Sequence, residues 1–167
     1  GGAGIGGGER CDGENITITG STVTATGDRG GAGIGGGAGE SNRGNGNNIT
    51  ITGSTVTAIS NGCGQRGNGG GAGIGGGCNR NGSHITINGG TVAASGNMYD
   101  QIDGGAQNYV VFSFASRQNG GQTYTLKNAA GETILEMTPE NAFQYLVVST
   151  PGLAEGEYTL WCGDTQL

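Results

Sequence analysis

Charge is scarce in this chain. Asp, Glu, Lys and Arg make up 12% of it, and the acidic excess leaves a formal net charge of −6. That balance argues against a nucleic-acid partner, because such binding draws its affinity from Lys and Arg neutralising phosphates. Proline is rarer still, with two residues, and the 41 glycines do not recur at every third position, so a collagen-like triple helix is ruled out. No apolar run approaches the length of a membrane span, and no secretory signal is present. The chain opens inside a repeat at Gly1, as a mature product or a piece cut from a longer solenoid would, so the missing signal says nothing about location. Aromatic residues amount to 5%, and Tyr99, Tyr124, Tyr145, Tyr158 and Trp161 all fall late in the chain. The cysteines Cys11, Cys63, Cys78 and Cys162 lack metal-ligand spacing, and no partner marks one of them as a catalytic thiol.

What the chain has in abundance is repetition. Residues 1–8, 30–37 and 70–77 all read Gly-Gly-Ala-Gly-Ile-Gly-Gly-Gly. Each copy is followed by a second block, Asn15-Ile16-Thr17-Ile18-Thr19-Gly20-Ser21-Thr22-Val23-Thr24-Ala25 in the first case, with counterparts at 48–58 and 84–94. A long repeat with a fixed internal pattern is the signature of a solenoid. A flexible glycine linker would have no use for Ile at one fixed position. In Ile16-Thr17-Ile18-Thr19 the alternation has the strand period, which puts the isoleucines on one face and the threonines on the other. Gly20-Ser21 supplies a bend, after which Val23 and Ala25 point inward again. Glycine weakens an isolated strand, so its density in the first block implies close approach of neighbouring backbones.

Each repeat thus reads as three short strands separated by corners, one turn of a parallel β-helix. Stacked turns would align Ile5, Ile34 and Ile74; Ile16, Ile49 and Ile85; Ile18, Ile51 and Ile87; and Val23, Val56 and Val92. No single turn can bury its own apolar face, so its neighbours must. The insertions at 38–47 and 59–69 are expected to bulge outward as loops rich in Asn, Gly and Ser. Asn15, Asn48 and His84 share one repeat position and are expected to stack in a corner column; the Asn-Ile-Thr triplets also match the glycosylation acceptor pattern. Four cysteines can pair in three ways. Cys63 and Cys78 flank the third glycine block and are the first choice for a disulfide, the alternative being reduced thiols that fill core positions.

Composition changes after Met98. Residues 109–115, 122–128, 132–139, 143–151 and 156–163 read as five strands, divided by turns such as Asn119-Gly120-Gly121 and Pro151-Gly152. The expected fold is all-β: repeats over 1–108, then a C-terminal module over 109–167, either an antiparallel cap or a small β-sandwich-like unit. Covering the end of a solenoid is a physical need, since exposed strand edges invite pairing.

Two features together carry a family resemblance. One is Gly-Ala-Gly-Ile-Gly-Gly paired with Ile-Thr-Ile-x-Gly-Gly/Ser-Thr-Val-x-Ala. The other is the tail, with Val111-Phe112-Ser113-Phe114, Tyr124-Thr125-Leu126-Lys127, Gly131-Glu132-Thr133-Ile134, Pro151-Gly152-Leu153, Glu157-Tyr158-Thr159-Leu160 and Gly163. On these the chain resembles the carbohydrate-binding-domain-containing family of bacterial extracellular proteins. The resemblance implies a right-handed parallel β-helix of about three coils, secreted or at the cell surface, that binds polysaccharide, acidic chains included, with calcium in some members. It transfers no individual binding residue.

Parallel β-helices include enzymes, but the acids of the repeat region, Glu9, Asp12, Glu14, Asp28 and Glu40, do not recur at one repeat position. They build no paired-carboxylate site, so no catalysis is expected. Glycan binding is expected to use the outward threonines Thr17, Thr19, Thr50 and Thr52, with the columns of Thr22, Thr24, Thr55 and Thr57 beside them. Tyr158 and Trp161 differ in strand parity, so at least one should be exposed to stack on a sugar ring. Arg10, Arg43 and Arg80 each follow a glycine block and would suit an anionic sugar if they lined one corner. Calcium would sit in loops, at Asp100 with Asp103 or at Asp12 with Glu14, completed by carbonyls and water. The main alternative is a structural, filament-forming unit that self-associates through the edge of the first turn, and a minor one is ice binding through the Thr-x-Thr array.

Overall fold

The computed structural model describes residues 1–39, 44–62, 70–98 and 102–167, and it is all-β, with no helix among those residues. Nothing in them is therefore a helix long and apolar enough to cross a membrane. The first repeat forms β1 (Ile5–Gly6), β2 (Gly13–Thr19) and β3 (Thr22–Gly27). The second forms β4 (Ile34–Gly35), β5 (Gly46–Thr52) and β6 (Ser54–Ser60), and the third β7 (Ile74–Gly75), β8 (Gly82–Ile87) and β9 (Gly90–Gly96). Equivalent strands pair in parallel, so three sheets grow side by side, ordered β1-β4-β7, β2-β5-β8 and β3-β6-β9. A further strand, β10 (Ile102–Gly104), adds to β8 and sets Ile102 on Ile85.

The pairing register is the one the repeat dictates. Ile5, Ile34 and Ile74 stack, as do Ile16, Ile49 and Ile85, then Ile18, Ile51 and Ile87, and Val23, Val56 and Val92. These ladders form one continuous core, in which Ile34, Ile49, Ile51 and Ile74 are fully buried while Ile5, Ile16 and Val23 of the first rung are partly covered.

Glycine makes the rung narrow enough for this. A Cβ at Gly33 would lie 2.5 Å from the Ile59 amide nitrogen and 2.6 Å from the Gly73 carbonyl oxygen; at Gly73 it would lie 2.7 Å from the Ser95 nitrogen. The glycine strand therefore rests on the backbone of the third sheet, with no room for a side chain. The next column, Gly6, Gly35 and Gly75, has φ of 125°, 129° and 137°, a region that L side chains rarely adopt.

The loops are shorter than the sequence suggested. Ile59 and Ser60 belong to β6; Ile59 is buried, and the Ser60 hydroxyl donates to the Gly31 carbonyl at 2.8 Å. Gly46 and Asn47 are likewise part of β5. The central residues of both insertions, 40–43 and 63–69, lie outside the described residues.

The tail supplies β11 (Tyr109–Gln118), β12 (Tyr124–Asn128), β13 (Thr133–Met137), β14 (Phe143–Ser149), β15 (Tyr158–Cys162) and β16 (Thr165–Gln166). Its strands separate into two groups. β14 pairs antiparallel with β9 and β11 pairs with β14, so the third repeat sheet continues as β3-β6-β9-β14-β11. The others form a second sheet, β13-β12-β15-β16. Alternation gives β14 two allegiances: Val147 enters the repeat core, while Leu146 and Val148 enter a separate core with Tyr124, Leu126, Phe143, Leu153 and Leu160. Burial raises the Tyr124 phenol above its ordinary pKa, with the Cys162 thiol adding to the effect, and its hydroxyl donates to the Asn119 carbonyl at 2.6 Å.

Ile34→Ala is expected to destabilise the protein by about 2–5 kcal/mol, since the middle rung is covered above and below and cannot collapse around the cavity. Thr52→Ala should cost roughly 0.5 kcal/mol or less, as surface changes do. Denaturant unfolding of both variants checks this; equal losses would mean that the inner and outer faces had been exchanged.

Candidate functional site

Once the inner face is filled, the parallel register fixes the outer one. Thr17, Thr50 and Thr86 form a column on the second sheet, with Thr19 and Thr52 beside it. On the third sheet Thr22, Thr55 and Thr91 form another, next to Thr24, Thr57 and Ala93. Threonine suits these positions because its branched side chain packs well on a pleated surface while keeping a hydroxyl outward. The Thr22 column crosses into the tail, where the Thr91 and Thr150 hydroxyls are 3.3 Å apart.

The two threonine faces have different surroundings. The outer face of the third sheet is covered over β14 and β11 by the second tail sheet. It is open over β3, and at the boundary β13, the edge strand of that second sheet, overhangs β6 and β9. Between them lies an open groove of 270 Å³. Thr55, Thr57, Thr91, Ala93 and Ser95 line one side, and consecutive residues from Leu135 to Pro139 line the other, with Val56 and Leu146 at its base. An unbroken run of β13 residues in the lining means that the strand's edge, and not just one of its faces, meets the groove.

The sequence-derived candidates occupy other places. Thr17, Thr19, Thr50 and Thr52 lie on the outer face of the second sheet, which is not part of the groove. Tyr158 packs against the tail core and donates its hydroxyl to the Ala154 carbonyl at 3.0 Å. Trp161 is half-buried, its indole N–H donates to the Thr159 hydroxyl at 2.9 Å, and the Lys127 ammonium sits 4.5 Å from its ring centroid. Lysine thus holds the ring face that a sugar would use.

The arginines do not converge. Arg10 has φ of 68° and its Nε is 3.7 Å from the neighbouring Glu9 carboxylate. In the third rung the left-handed residue at that corner is Asn79, and Arg80 takes the place of Cys11: the Cys11 amide donates to Gly8 as the Arg80 amide donates to Gly77. Arg43 lies outside the described residues.

The acidic candidates serve as acceptors between rungs. Asp12 accepts from the Asn45 amide at 2.6 Å, Glu14 from the Asn47 side chain at 3.1 Å, and Asp103 from the His84 amide. Among the described residues no three His, Cys, Asp or Glu gather as metal ligands, and Asp100 lies outside them. Cys78 is disulfide-bonded and Cys11 and Cys162 are free; Cys63, its expected partner, is outside the described residues.

Asn15, Asn48 and His84 form a column with φ of 56°, 54° and 54°. The left-handed residue puts two successive side chains outward and so resets the alternation within the strand. Asn and His tolerate this conformation better than most residues. The Asn48 amide also donates to the Asn15 carbonyl oxygen at 3.3 Å.

Against known proteins, a family model described as a beta helix repeat matches residues 16–38 and 85–106, running from β2 to beyond β4 and from β8 through β10. The chain is similar to that repeat over those segments. No curated protein and no solved structure matches it.

Asn48→Ala is expected to cost about 1–2 kcal/mol, the penalty of a left-handed Ala. Asn48→Gly should cost less, because glycine adopts positive φ freely. If urea unfolding shows equal costs, the inter-rung hydrogen bond and not the backbone angle selects Asn here.

Proposed function

We propose that the protein is a non-catalytic module that binds extended polysaccharide, built on a right-handed parallel β-helix of about three coils and acting at or outside a bacterial cell surface. The groove under β13 is the observation that carries this reading. It is open, has Thr55, Thr57, Thr91 and Ser95 on one wall, and adds aliphatic surface at Leu135 and Met137 on the other. Sugar rings present hydroxyls and C–H faces together, and such a mixed lining meets both. At 270 Å³ the groove falls just below the ~300–1,000 Å³ of pockets that enclose a small ligand, which suits one stretch of a longer chain.

Two further observations favour binding without catalysis. Among the described residues, Glu136 is the one ionisable residue of the lining, whereas glycoside hydrolysis draws on two carboxyl groups. Asp12, Glu14 and Asp103 are already hydrogen-bonded between rungs, so neither catalysis nor calcium enters this reading through them.

Self-association is the second reading, and the first rung supports it. β1, β2 and β3 each end their sheet among the described strands, while Ile5, Ile16 and Val23 are only partly covered. A rung of the same sequence, from a second copy, would extend all three sheets at once.

In pull-downs with insoluble plant and animal polysaccharides the protein should be retained by at least one. Monosaccharides should fail to elute it, and oligosaccharides should compete better as they lengthen. Retention by none, with filaments in electron micrographs of the purified protein, would favour the self-associating unit instead.

A further inference from the structure

We infer that the groove reads its polysaccharide with the free backbone edge of β13, and that the sugar unit held there carries two adjacent free hydroxyls. This rests on the polysaccharide reading above and specifies its ligand. Leu135 and Met137 pack into the tail core. Glu136, between them, pairs with Thr125, which pairs with Trp161, so its side chain stands on the outer face of the second tail sheet. Thr138 points the same way, its hydroxyl 3.3 Å from that of Thr123. Yet Glu136 and Thr138 both line the groove. Their contribution is therefore main chain.

The pairing pattern identifies the groups. In an antiparallel pair, alternate residues turn both N–H and C=O toward the same neighbour. The Asn128 amide donates to the Glu132 carbonyl at 3.1 Å and the Gly121 amide to the Pro139 carbonyl at 2.8 Å, so Glu132 and Pro139 face β12. Counting back from Pro139, Met137 and Leu135 face β12 as well, and the register shift at Leu126/Lys127 restores the phase toward Glu132. Glu136 and Thr138 are left with N–H and C=O turned toward the groove, on an edge that no described strand covers.

Free backbone invites a peptide strand, but this stretch is too short for one. The register shift interrupts it on one side, and on the other Pro139 has no N–H. The free run amounts to Glu136 and Thr138, against the roughly five or six residues of an ordinary strand. A hydroxyl, by contrast, both donates and accepts. Two on neighbouring carbons can meet one residue together, the first accepting from its N–H and the second donating to its C=O. Thr55, Thr57, Thr91 and Ser95 on the opposite wall serve the rest of the ring. A unit whose free hydroxyls are not adjacent satisfies one backbone group and leaves the other unpaired, which costs affinity.

Affinity electrophoresis of the intact protein tests this, in gels containing soluble neutral polysaccharides. Chains of 1,4-linked glucan or mannan keep adjacent hydroxyls on each unit, whereas a 1,3-linked glucan has none within the chain. At least one 1,4-linked polymer should retard wild type, and the 1,3-linked glucan should not. Periodate, which cleaves the bond between carbons bearing adjacent hydroxyls, followed by borohydride, should abolish that retardation. Glu136→Pro removes an N–H that no ladder uses, a change that edge strands tolerate. Its melting curve should match wild type while retardation falls roughly three- to tenfold, the worth of one hydrogen bond. Glu136→Ala should bind as wild type does.

Retardation as strong in the 1,3-linked glucan as in the others, or retardation that survives periodate, overturns the paired-hydroxyl requirement and leaves the polysaccharide reading standing. A folded Glu136→Pro that binds as wild type, or an equal loss in Glu136→Ala, overturns the backbone edge as the reader. If Glu136→Pro melts early, Thr138→Pro removes the other free N–H and is judged by the same outcome. No retardation by any polymer overturns the polysaccharide reading itself.

Discussion

Backbone resting on backbone is the constraint from which the rest of this structure follows. The glycine strand of each rung lies so close to the third sheet and to the next rung that a methyl group would not fit at Gly33 or Gly73. That proximity lets the Ile34 amide donate to Gly73 at 2.9 Å and the Ile5 amide to Gly33 at 3.0 Å. It also sets the height of one rung on the next. Because successive rungs are in register, like residues stack on like residues, and isoleucine ladders inside imply threonine columns outside. The conformational entropy lost by ordering so many glycines must be met by burial that is continuous along the stack. The first rung, with no described strand on its outer side, leaves Ile5, Ile16 and Val23 only partly covered.

The inner ladders were legible because period two and exact repetition leave few other solutions. Ile16, Ile49 and Ile85 could be aligned by eye, and the structure pairs them. The Asn15, Asn48 and His84 column was visible as a repeat position, although its left-handed backbone was not, since alternation resumes so soon after it. The arginines misled because following a glycine block is not the same as sharing a repeat position: the first and third corners are equally long, so Asn79, two residues after Gly77, stands where Arg10 stands after Gly8, and Arg80 is one residue further on. In the tail, turns and alternation revealed the strands, but pairing between distant strands leaves no local mark. Nothing in Phe143–Ser149 says that it will lie beside β9 and serve two cores. The groove depends on that placement and was hidden with it. One signal pointed its way: Pro139 closes the β13 segment, and proline near a strand end is a mark of an edge.

The tail turns a regular face into a specific one. Without the second tail sheet, the outer surface of β3, β6 and β9 would be a flat field of hydroxyls and methyls like that of β2, β5 and β8. The overhanging edge of β13 adds a wall and aliphatic contacts. It also shows why the aromatic residues are poor guides to the site: Tyr158 and Tyr124 hold the second sheet together, and Trp161 is held by Lys127. Their work is to position β13.

The shared sheet has a consequence for how such a protein can change in length. Contacts between rungs are nearly the same at every level, whereas those of β14 with β9 occur once, at the last rung. A duplicated rung inserted in the middle would find a ready-made neighbour above and below and would disturb neither end. The groove, built on the last two rungs and the tail, would travel outward unchanged, by about 4.8 Å for each rung added. The repeat region is then a spacer of adjustable height carrying a fixed tip, so the reach of the protein can evolve independently of its specificity.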